Sequence, residues 1–268
     1  MKNQKNQNQN KKDSQRIIYY SDELSEEFST AQINPKKIDE NFDYGNAGFK
    51  WKALRLFWYR IVFFPWAMLF LKLHEGNKVV NKKVLKKVSK NQGIFIFGNH
   101  TNAIADAFIP SKVSFPRSTY VIVHPNNVSM PVLGKITPYL GAIPLPDTIT
   151  AAKNFMNVIK LRCEQNASVV IYPEAHIWPY YTKIRPFTDL SFRYPVQNKC
   201  PVFCFTNTYQ KRRFSKKPKM ITYVDGPFYA DETLKEKEQR KQLRDKVYET
   251  MCERSKLNEV ELIKYIRK

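Results

Sequence analysis

A histidine and an aspartate that follow an apolar stretch are the first residues of this chain whose types and spacing fit catalysis. The chain has four histidines, and His100 comes directly after the apolar run Gly93–Gly98, with Asp106 six positions later. On one helix those six positions would turn His100 about 240° away from Asp106, so the pair can meet only if His100 lies on the preceding turn. A carboxylate there would hold the imidazole Nδ1–H and leave Nε2 as a general base for a hydroxyl proton. Otherwise His100 is a hydrogen-bonded turn residue and Asp106 is a solvated helix residue.

A second polar loop, Tyr172-Pro173-Glu174-Ala175-His176, follows a later apolar strand. The proline presents Glu174 at the edge of the sheet, beside the loop of His100. Taken alone, Glu174 fits a simple helix cap. Because the carboxyl ends of parallel strands meet at one edge of a sheet, the two loops together indicate one site.

The elements that would position these loops alternate along the chain. Helices are predicted over Ala103–Val113 and Thr148–Glu164, and a last helix is predicted from Asp231. Helices between short buried strands predict an α/β fold with a single, largely parallel sheet flanked by helices. The predicted strands are Gly93–Gly98, Thr119–Val123, Ala167–Tyr172, Pro201–Thr208 and Met220–Val224.

Composition restricts both the class of protein and its partners. The 268 residues are 43% hydrophobic and include only 8 glycines, which excludes global disorder and Gly-rich architectures. The formal charge of +21 predicts a polyanionic partner: nucleic acid, anionic lipid or an acidic carrier protein. No C-x-x-C pair occurs, so we predict no zinc ribbon, no disulfide framework and a reducing, cytosolic setting. The four cysteines are Cys163, Cys200, Cys204 and Cys252.

Two N-terminal segments differ from the rest of the chain. Residues 1–16 are a Lys/Asn/Gln tract without the apolar core of a secretory signal, and we predict a disordered basic tail. Within residues 51–73, the apolar run from Ile61 to Leu71 would span about 16 Å as a helix, against a hydrocarbon core of about 30 Å. Pro65 interrupts this run, and tryptophans and basic residues accompany it. We therefore predict an interfacial or re-entrant membrane segment, with a buried core helix as the alternative.

The predicted organisation has four parts. The basic tail at 1–16 precedes an N-terminal region at 17–80, which carries the membrane-interface segment. The α/β domain follows at 81–230, and a C-terminal helix is predicted at 231–268. A short helix is also predicted around Ser21–Phe28, with Ser21 as its N-cap.

These motifs resemble the four sequence blocks of the PlsC-like glycerolipid acyltransferases, the family of lysophosphatidic acid and glycerol-3-phosphate acyltransferases. Asn99-His100 through Asp106 resembles N-H-x4-D with one extra residue, a spacing that some glycerol-3-phosphate acyltransferases share. Gly141-Ala142-Ile143-Pro144 resembles the front of the second block, Tyr172-Pro173-Glu174 the third and Pro201-Val202-Phe203 the fourth. The resemblance covers roughly residues 50–230.

The resemblance implies an O-acyltransferase at the cytoplasmic face of a membrane, bound to an anionic surface. His100 would be the general base, oriented by Asp106, and the acceptor hydroxyl would attack the thioester of acyl-CoA or acyl carrier protein without a covalent acyl-enzyme. The acceptor would be a glycerol-phosphate or a lysophospholipid, with Glu174 and Asn99 contributing to its site. Neither a cofactor nor a metal is implied.

Two departures from the family pattern affect acceptor recognition. Leu145-Pro146-Asp147 stands where the second block usually closes on an arginine, and Ala175-His176-Ile177-Trp178 replaces the usual G-T-R-S. A phosphate in a partly dry site needs a cation or several N–H donors. We predict that Arg185, with its planar fork, supplies that charge and that Lys183 assists. The alternative for these two residues is a solvated loop. His176 is predicted to contact the acceptor, and its alternative is a packed turn residue.

Two other functions stay open from the sequence. A lipid-binding protein of the same fold could have lost catalysis together with the altered blocks. A basic nucleic-acid-binding protein is the other alternative, because six cations lie within Lys211–Lys219. No recognition helix, RNA-binding signature or zinc site accompanies them, so we expect no nucleic-acid partner. Thioester turnover separates the enzyme from the first alternative, and salt-sensitive binding to duplex DNA would favour the second.

Overall fold

The computed structural model describes residues 15–28, 34–45, 48–213 and 215–268. The basic tail predicted at 1–16 lies outside the described residues except for its last two, and Arg16 already begins a strand. The strands are β1 Arg16–Tyr20, β2 Lys78–Val80, β3 Ile94–Gly98, β4 Thr119–Val123, β5 Ala142–Pro144, β6 Ser168–Ile171, β7 Val202–Arg212, β8 Ser215–Phe228 and β9 Ile263–Arg267.

Seven of these strands form the central sheet, in the order β2-β8-β7-β3-β6-β4-β5. Every neighbouring pair is parallel except β7 and β8, which form an antiparallel hairpin. The predicted α/β class with a largely parallel sheet is therefore confirmed. Phe97 of β3 pairs with Ile171 of β6 and with Cys204 of β7, so the loops after β3 and β6 leave the same edge of the sheet.

Helices cover both faces of the sheet, which is why β3 and β6 are buried along their whole length. The predicted helix at 148–164 forms, and its N-cap is Thr148, whose side chain accepts from the amide of Ala151 at 3.1 Å. The helices are α1 Phe49–Arg55, α2 Phe64–Leu73, α3 Ala105–Ser114, α4 Asn126–Ser129, α5 Leu133–Leu140, α6 Ile149–Glu164, α7 Arg193–Gln197 and α8 Glu236–Ser255.

One continuous helix, Phe49–Leu73, carries the predicted membrane segment, and we refer to it as the apolar helix. A π-helical stretch, Leu56–Phe63, joins α1 to α2. The expected break at Pro65 does not occur, because the proline lies in the first turn of α2, where its missing N–H is tolerated. By length and composition alone, the 25 residues are long and apolar enough to cross a membrane. This corrects the length argument, which counted only the run from Ile61 to Leu71.

The first and last strands of the described chain form a second, two-stranded sheet that sequence patterns did not predict. β1 pairs with β9 in parallel, so the chain after α8 ends in a strand rather than continuing the C-terminal helix. The short helix predicted at Ser21 does not form; the Glu26 carboxylate accepts from the amides of Ser21 and Asp22 and closes a turn instead. We call β1, β9 and residues 21–28 the accessory unit.

Candidate active site

His100 and Asp106 form a hydrogen-bonded pair at the carboxyl edge of the sheet. His100 Nδ1 and Asp106 Oδ2 are 2.8 Å apart. α3 begins at Ala105, so His100 lies on the turn before the helix, as the rotation argument required. The Asp106 carboxylate is buried, whereas 17% of the imidazole side chain is exposed. With Nδ1–H held by the carboxylate, Nε2 of the neutral ring is left to accept a proton.

The main chain around α3 fixes the Asp106 carboxylate. Its Oδ2 also accepts from the backbone amides of Thr101 and Asn102, each at 2.8 Å. The Asn102 side chain accepts from the amide of Ala105 at 2.9 Å and so caps the start of α3. A negative charge is favoured here, because the first turn of a helix presents unpaired N–H groups and the positive end of the helix dipole.

Tyr172, directly after strand β6, supports residues 99–104, which join β3 to α3 and which we call the catalytic loop. Its ring stacks on the His100 imidazole with a centroid distance of 4.4 Å. Its hydroxyl donates to the main-chain oxygen of Asp106 at 2.5 Å. Burial raises the pKa of Tyr172 well above 10, so this hydroxyl stays a neutral donor. Sequence reasoning quoted Tyr172 as part of a motif and gave it no role.

Glu174 lies beneath the catalytic loop rather than in an open cleft. Its Oε2 accepts from the backbone amide of His100 and its Oε1 from that of Arg185, both at 3.0 Å. The residue is 4% exposed. Burial raises the pKa of Glu174, and the nearby Arg185 guanidinium opposes that shift. Glu174 therefore shapes the site by holding the main chain of His100.

Arg185 corrects a prediction, because its guanidinium is buried and turned into the protein. The side chain is fully buried, and its Nη2 lies 3.7 Å from Glu174 Oε2. The guanidinium donates to the main-chain oxygens of Glu23, Glu174 and His176 and lies over the ring of Trp178. A direct contact with an acceptor phosphate would require these bonds to break. Arg185 acts on the site through Glu174.

The remaining predicted binding residues are dispersed. Asn99 is 1% exposed, and its amide is occupied by the main chain of Asn207 on β7, to which it both donates and accepts. The prediction of an acceptor contact at Asn99 therefore does not fit this geometry. His176 is half-buried, with Nδ1 3.2 Å from Glu27 Oε2. Lys183 is exposed on the loop before Arg185.

The accessory unit accounts for the departure in the third block. Trp178 is completely buried, stacks on Tyr265 of β9 and donates its indole N–H to the main-chain oxygen of Glu26. Its backbone amide donates to the main-chain oxygen of His100 at 3.2 Å. Residues 175–178 thus connect the accessory unit to the catalytic loop.

A buried polar network runs from Lys112, on the same helix as Asp106, through strands β8 and β7 to the Asp106 carboxylate. Asn207 Nδ2 donates to Asp106 Oδ1 at 3.3 Å, and Asn207 Oδ1 accepts the hydroxyl of Thr222 at 2.8 Å. Thr222 accepts from Asn77 Nδ2, and Asn77 Oδ1 accepts from the Lys112 ammonium, both at 2.8 Å. Every donor points the same way, from the cation toward the carboxylate, so neighbouring bonds polarise one another.

Asn207 is the functional residue that sequence reasoning missed. It lies on β7, which was predicted as a strand and aligned with the fourth block only through Pro201-Val202-Phe203. The signal was present: Thr206, Asn207 and Thr208 are three polar residues at the carboxyl end of an apolar strand. Because the carboxyl ends of parallel strands meet at one edge of the sheet, these polar residues lie at the same edge as the loops of His100 and Glu174.

Comparisons with known proteins bear on the family and on the fold. Residues 78–206 match the protein-family model described as Acyltransferase. The fold is similar to that of the 1-acyl-sn-glycerophosphate (LPA) acyltransferase PlsC from Thermotoga maritima, with a TM-score of 0.52 and 15% sequence identity. The likeness covers 78% of this chain and 81% of that chain. No curated protein matches the chain.

Asn207→Ala tests whether the network serves the catalytic pair. The substitution removes a donor from Asp106, and we expect kcat to fall roughly tenfold, the value of about one hydrogen bond, with KM unchanged. Thr208→Val is the matched control. Thr208 lies on the same strand, and its hydroxyl donates a buried hydrogen bond to the main-chain oxygen of Ile221 rather than to Asp106, so the variant loses a bond of the same kind away from the catalytic pair. Equal kcat values for the two variants would contradict the assignment.

Arg185→Ala tests the corrected role of the arginine. It leaves the buried Glu174 without its cation, and we expect a loss of roughly 3–5 kcal/mol in the free energy of unfolding, measured with urea. Lys183→Ala changes the same charge on the exposed part of the loop and should cost less than about 0.5 kcal/mol. The double variant Glu174→Gln/Arg185→Ala should recover part of the loss. Wild-type stability of Arg185→Ala would show that the pair is dispensable.

Proposed function

We propose a substrate class and a mechanism from two findings: residues 78–206 match the Acyltransferase family model, and the fold is similar to that of PlsC. The protein moves a fatty acyl group from acyl-CoA or acyl carrier protein to a hydroxyl of a glycerol-phosphate or lysophospholipid, at a membrane surface. The observation that carries this proposal is the 2.8 Å contact between His100 Nδ1 and Asp106 Oδ2, in a partly exposed loop at the carboxyl edge of the sheet.

His100 acts as the general base in one displacement at the thioester. Nε2 takes the proton of the acceptor hydroxyl while the oxygen attacks the thioester carbonyl. The carbon–oxygen bond forms, the carbon–sulfur bond breaks, and the departing thiolate receives the proton from the imidazolium. Asp106 keeps the ring in the required tautomer and stabilises the imidazolium that forms between the two proton transfers.

A covalent acyl-enzyme on cysteine does not fit the positions of the thiols. Cys163, Cys200 and Cys204 are buried, and Cys252 on α8 is partly buried, with a pKa that burial raises. Burial raises the pKa of the Cys204 thiol, so the reactive thiolate is disfavoured there. Direct attack by the acceptor hydroxyl is the mechanism that the His–Asp pair supports.

Lys183 is the exposed member of the pair predicted to bind the acceptor phosphate, and we keep it in that role. Because the Arg185 guanidinium is paired with Glu174, the phosphate would be bound by the flexible Lys183 ammonium instead of by the planar guanidinium predicted from the sequence. A single lysine binds phosphate as a point charge and tolerates phosphate monoesters and diesters alike. This supports either a glycerol-phosphate or a lysophospholipid as the acceptor.

The exposed face of the apolar helix supports peripheral attachment to a membrane. Only 17% of the most apolar 18-residue stretch of this helix is buried. Ile61, Leu69 and Leu73 are each more than half exposed. Its other face is attached to the domain: Arg55 donates to the main-chain oxygens of Tyr139 and Thr119. A helix held in this way along the domain can lie in the membrane interface without leaving the fold.

His100→Ala should lower the rate of acyl transfer by about 10²–10⁴-fold, because it removes the general base. The assay is mass analysis of products from acyl-CoA or acyl carrier protein with glycerol-3-phosphate and a panel of lysolipids, in detergent micelles. His124→Ala is the matched control, an exposed histidine outside the catalytic loop. Near-normal turnover of His100→Ala would exclude the pair as the catalytic base, and a wild-type protein without turnover would favour the lipid-binding alternative.

Replacing exposed residues of the apolar helix should release the protein from vesicles. We expect Ile61→Ser/Leu69→Ser/Leu73→Ser to weaken binding to anionic liposomes by more than about tenfold, since each side chain loses apolar burial. Deleting the helix is not a clean test, because Tyr59, Ala67 and Leu71 belong to the core.

The control for this test is Leu190→Ser/Leu257→Ser, which alters exposed leucines elsewhere. Alkaline carbonate should extract the wild-type protein from membranes. Resistance to extraction would show an integral segment and contradict peripheral attachment.

A further inference from the structure

A cluster of cations lies at the opposite edge of the sheet from His100. Tyr120 is the second residue of β4. The guanidinium carbons of Arg55 and Arg162 lie 4.1 Å and 4.5 Å from the centre of its ring. Arg55 is 7% exposed and Arg162 is 1% exposed. Arg60 of the apolar helix adds a third guanidinium, over the ring of Tyr59. The acyl transfer proposed above uses none of these residues.

The positive charge of this cluster is not balanced by the protein. Hydrogen bonds from Arg55, Arg60 and Arg162 end on neutral carbonyl oxygens, of the main chain or of the Gln165 side chain. Within the described ranges, no ion pair joins these three arginines to a carboxylate, and Arg162 Nε has no partner. Burial lowers the pKa of Arg55; Tyr120 and Tyr59 oppose that shift, and the neighbouring Arg162 and Arg60 add to it. Buried charges in proteins are normally paired, so this arrangement lacks an anion.

A cavity of about 320 Å³ opens beside these cations. Lys52, Arg55 and Arg60 line it, together with the side chains of Ser118 and Tyr59. Cationic side chains, and arginine guanidinium groups above all, are the groups that bind a phosphate oxyanion in proteins. Leu56 also lines the cavity and is 58% exposed, so an apolar surface begins at its rim.

We propose that this cavity is a second, non-catalytic site that binds the phosphate group of an anionic lipid. The phosphate neutralises Lys52, Arg55 and Arg60, and the acyl chains continue along the exposed face of the apolar helix from Leu56. The site is separate from the catalytic one, because the five residues of β4, about 16 Å of extended chain, lie between the two edges of the sheet. It would fix the protein on an anionic membrane whatever acceptor is acylated.

Thermal unfolding with inorganic phosphate tests the phosphate chemistry. At a concentration about tenfold above its dissociation constant, phosphate should raise the Tm of the wild-type protein by about 3–5 °C relative to chloride of equal ionic strength. Lys52→Gln/Arg60→Gln should lose this shift. Lys50→Gln/Lys72→Gln is the matched control, since it removes two cations from the apolar helix outside the cavity lining and should keep the shift.

Vesicle sedimentation identifies the source of the phosphate. We call Lys52→Gln/Arg60→Gln the cavity variant and Lys50→Gln/Lys72→Gln the control variant. The cavity variant should bind vesicles containing phosphatidic acid or phosphatidylglycerol at least tenfold more weakly than the control variant. Binding to phosphatidylcholine vesicles should be the same for both. A lost thermal shift together with equal vesicle binding would overturn the lipid assignment and leave a soluble phosphate ester as the ligand. Equal thermal shifts and equal vesicle binding for both variants would overturn the site altogether.

Acyl transfer in detergent micelles separates this proposal from the proposed function. The cavity variant should keep wild-type kcat in micelles, because none of its changed residues lies near His100. Suppose that His100→Ala is inactive and that the cavity variant behaves as its control. The enzyme assignment would then stand and the second site would be rejected. Loss of micellar activity in the cavity variant would instead contradict a non-catalytic site.

Discussion

The Asp106 carboxylate is the group on which the arrangement of the active site depends. It accepts hydrogen bonds from two backbone amides, from His100 and from Asn207, so one buried charge joins the loop after β3, the start of α3 and strand β7. A buried carboxylate with so many donors cannot rotate without leaving several of them unsatisfied. The orientation of the His100 imidazole follows from that constraint, because its Nδ1 has a fixed acceptor.

A second buried charge, Glu174, holds the same loop from below. Its two oxygens accept from the amides of His100 and Arg185, and the Arg185 guanidinium compensates its charge. The guanidinium also donates to main-chain oxygens of the loop and of the accessory unit. The accessory unit, in which β1 and β9 pair, is thereby connected to the loop of His100.

Sequence reasoning predicted the parts of this site that follow from local rules. Helix rotation required His100 to lie before α3 if it was to meet Asp106, and parallel-strand geometry grouped the two loops at one sheet edge. The pairing itself was implied by the family resemblance. The role of Arg185 could not be predicted in this way, because its burial depends on residues 20–28 and 263–267, which are distant in sequence. Asn207 was missed for a simpler reason: it lies at the polar end of the predicted strand Pro201–Thr208, and only the loops of His100 and Glu174 were considered as site-bearing strand ends.

The apolar helix connects the two edges of the sheet. Near its start, Arg55 donates to the main-chain oxygens of Thr119 and Tyr139, and at its end the main-chain oxygens of Leu73 and His74 accept from Arg212 on the β7–β8 hairpin. Attached at both ends, the helix has a fixed orientation relative to His100. A surface that binds its exposed face must therefore meet the catalytic edge and the cationic cavity at set positions. The membrane would contact the helix at two places, at the cavity near Lys52 and at the apolar residues around Leu69. Two contacts would limit rotation of the protein about the helix axis and so define which way the active site faces.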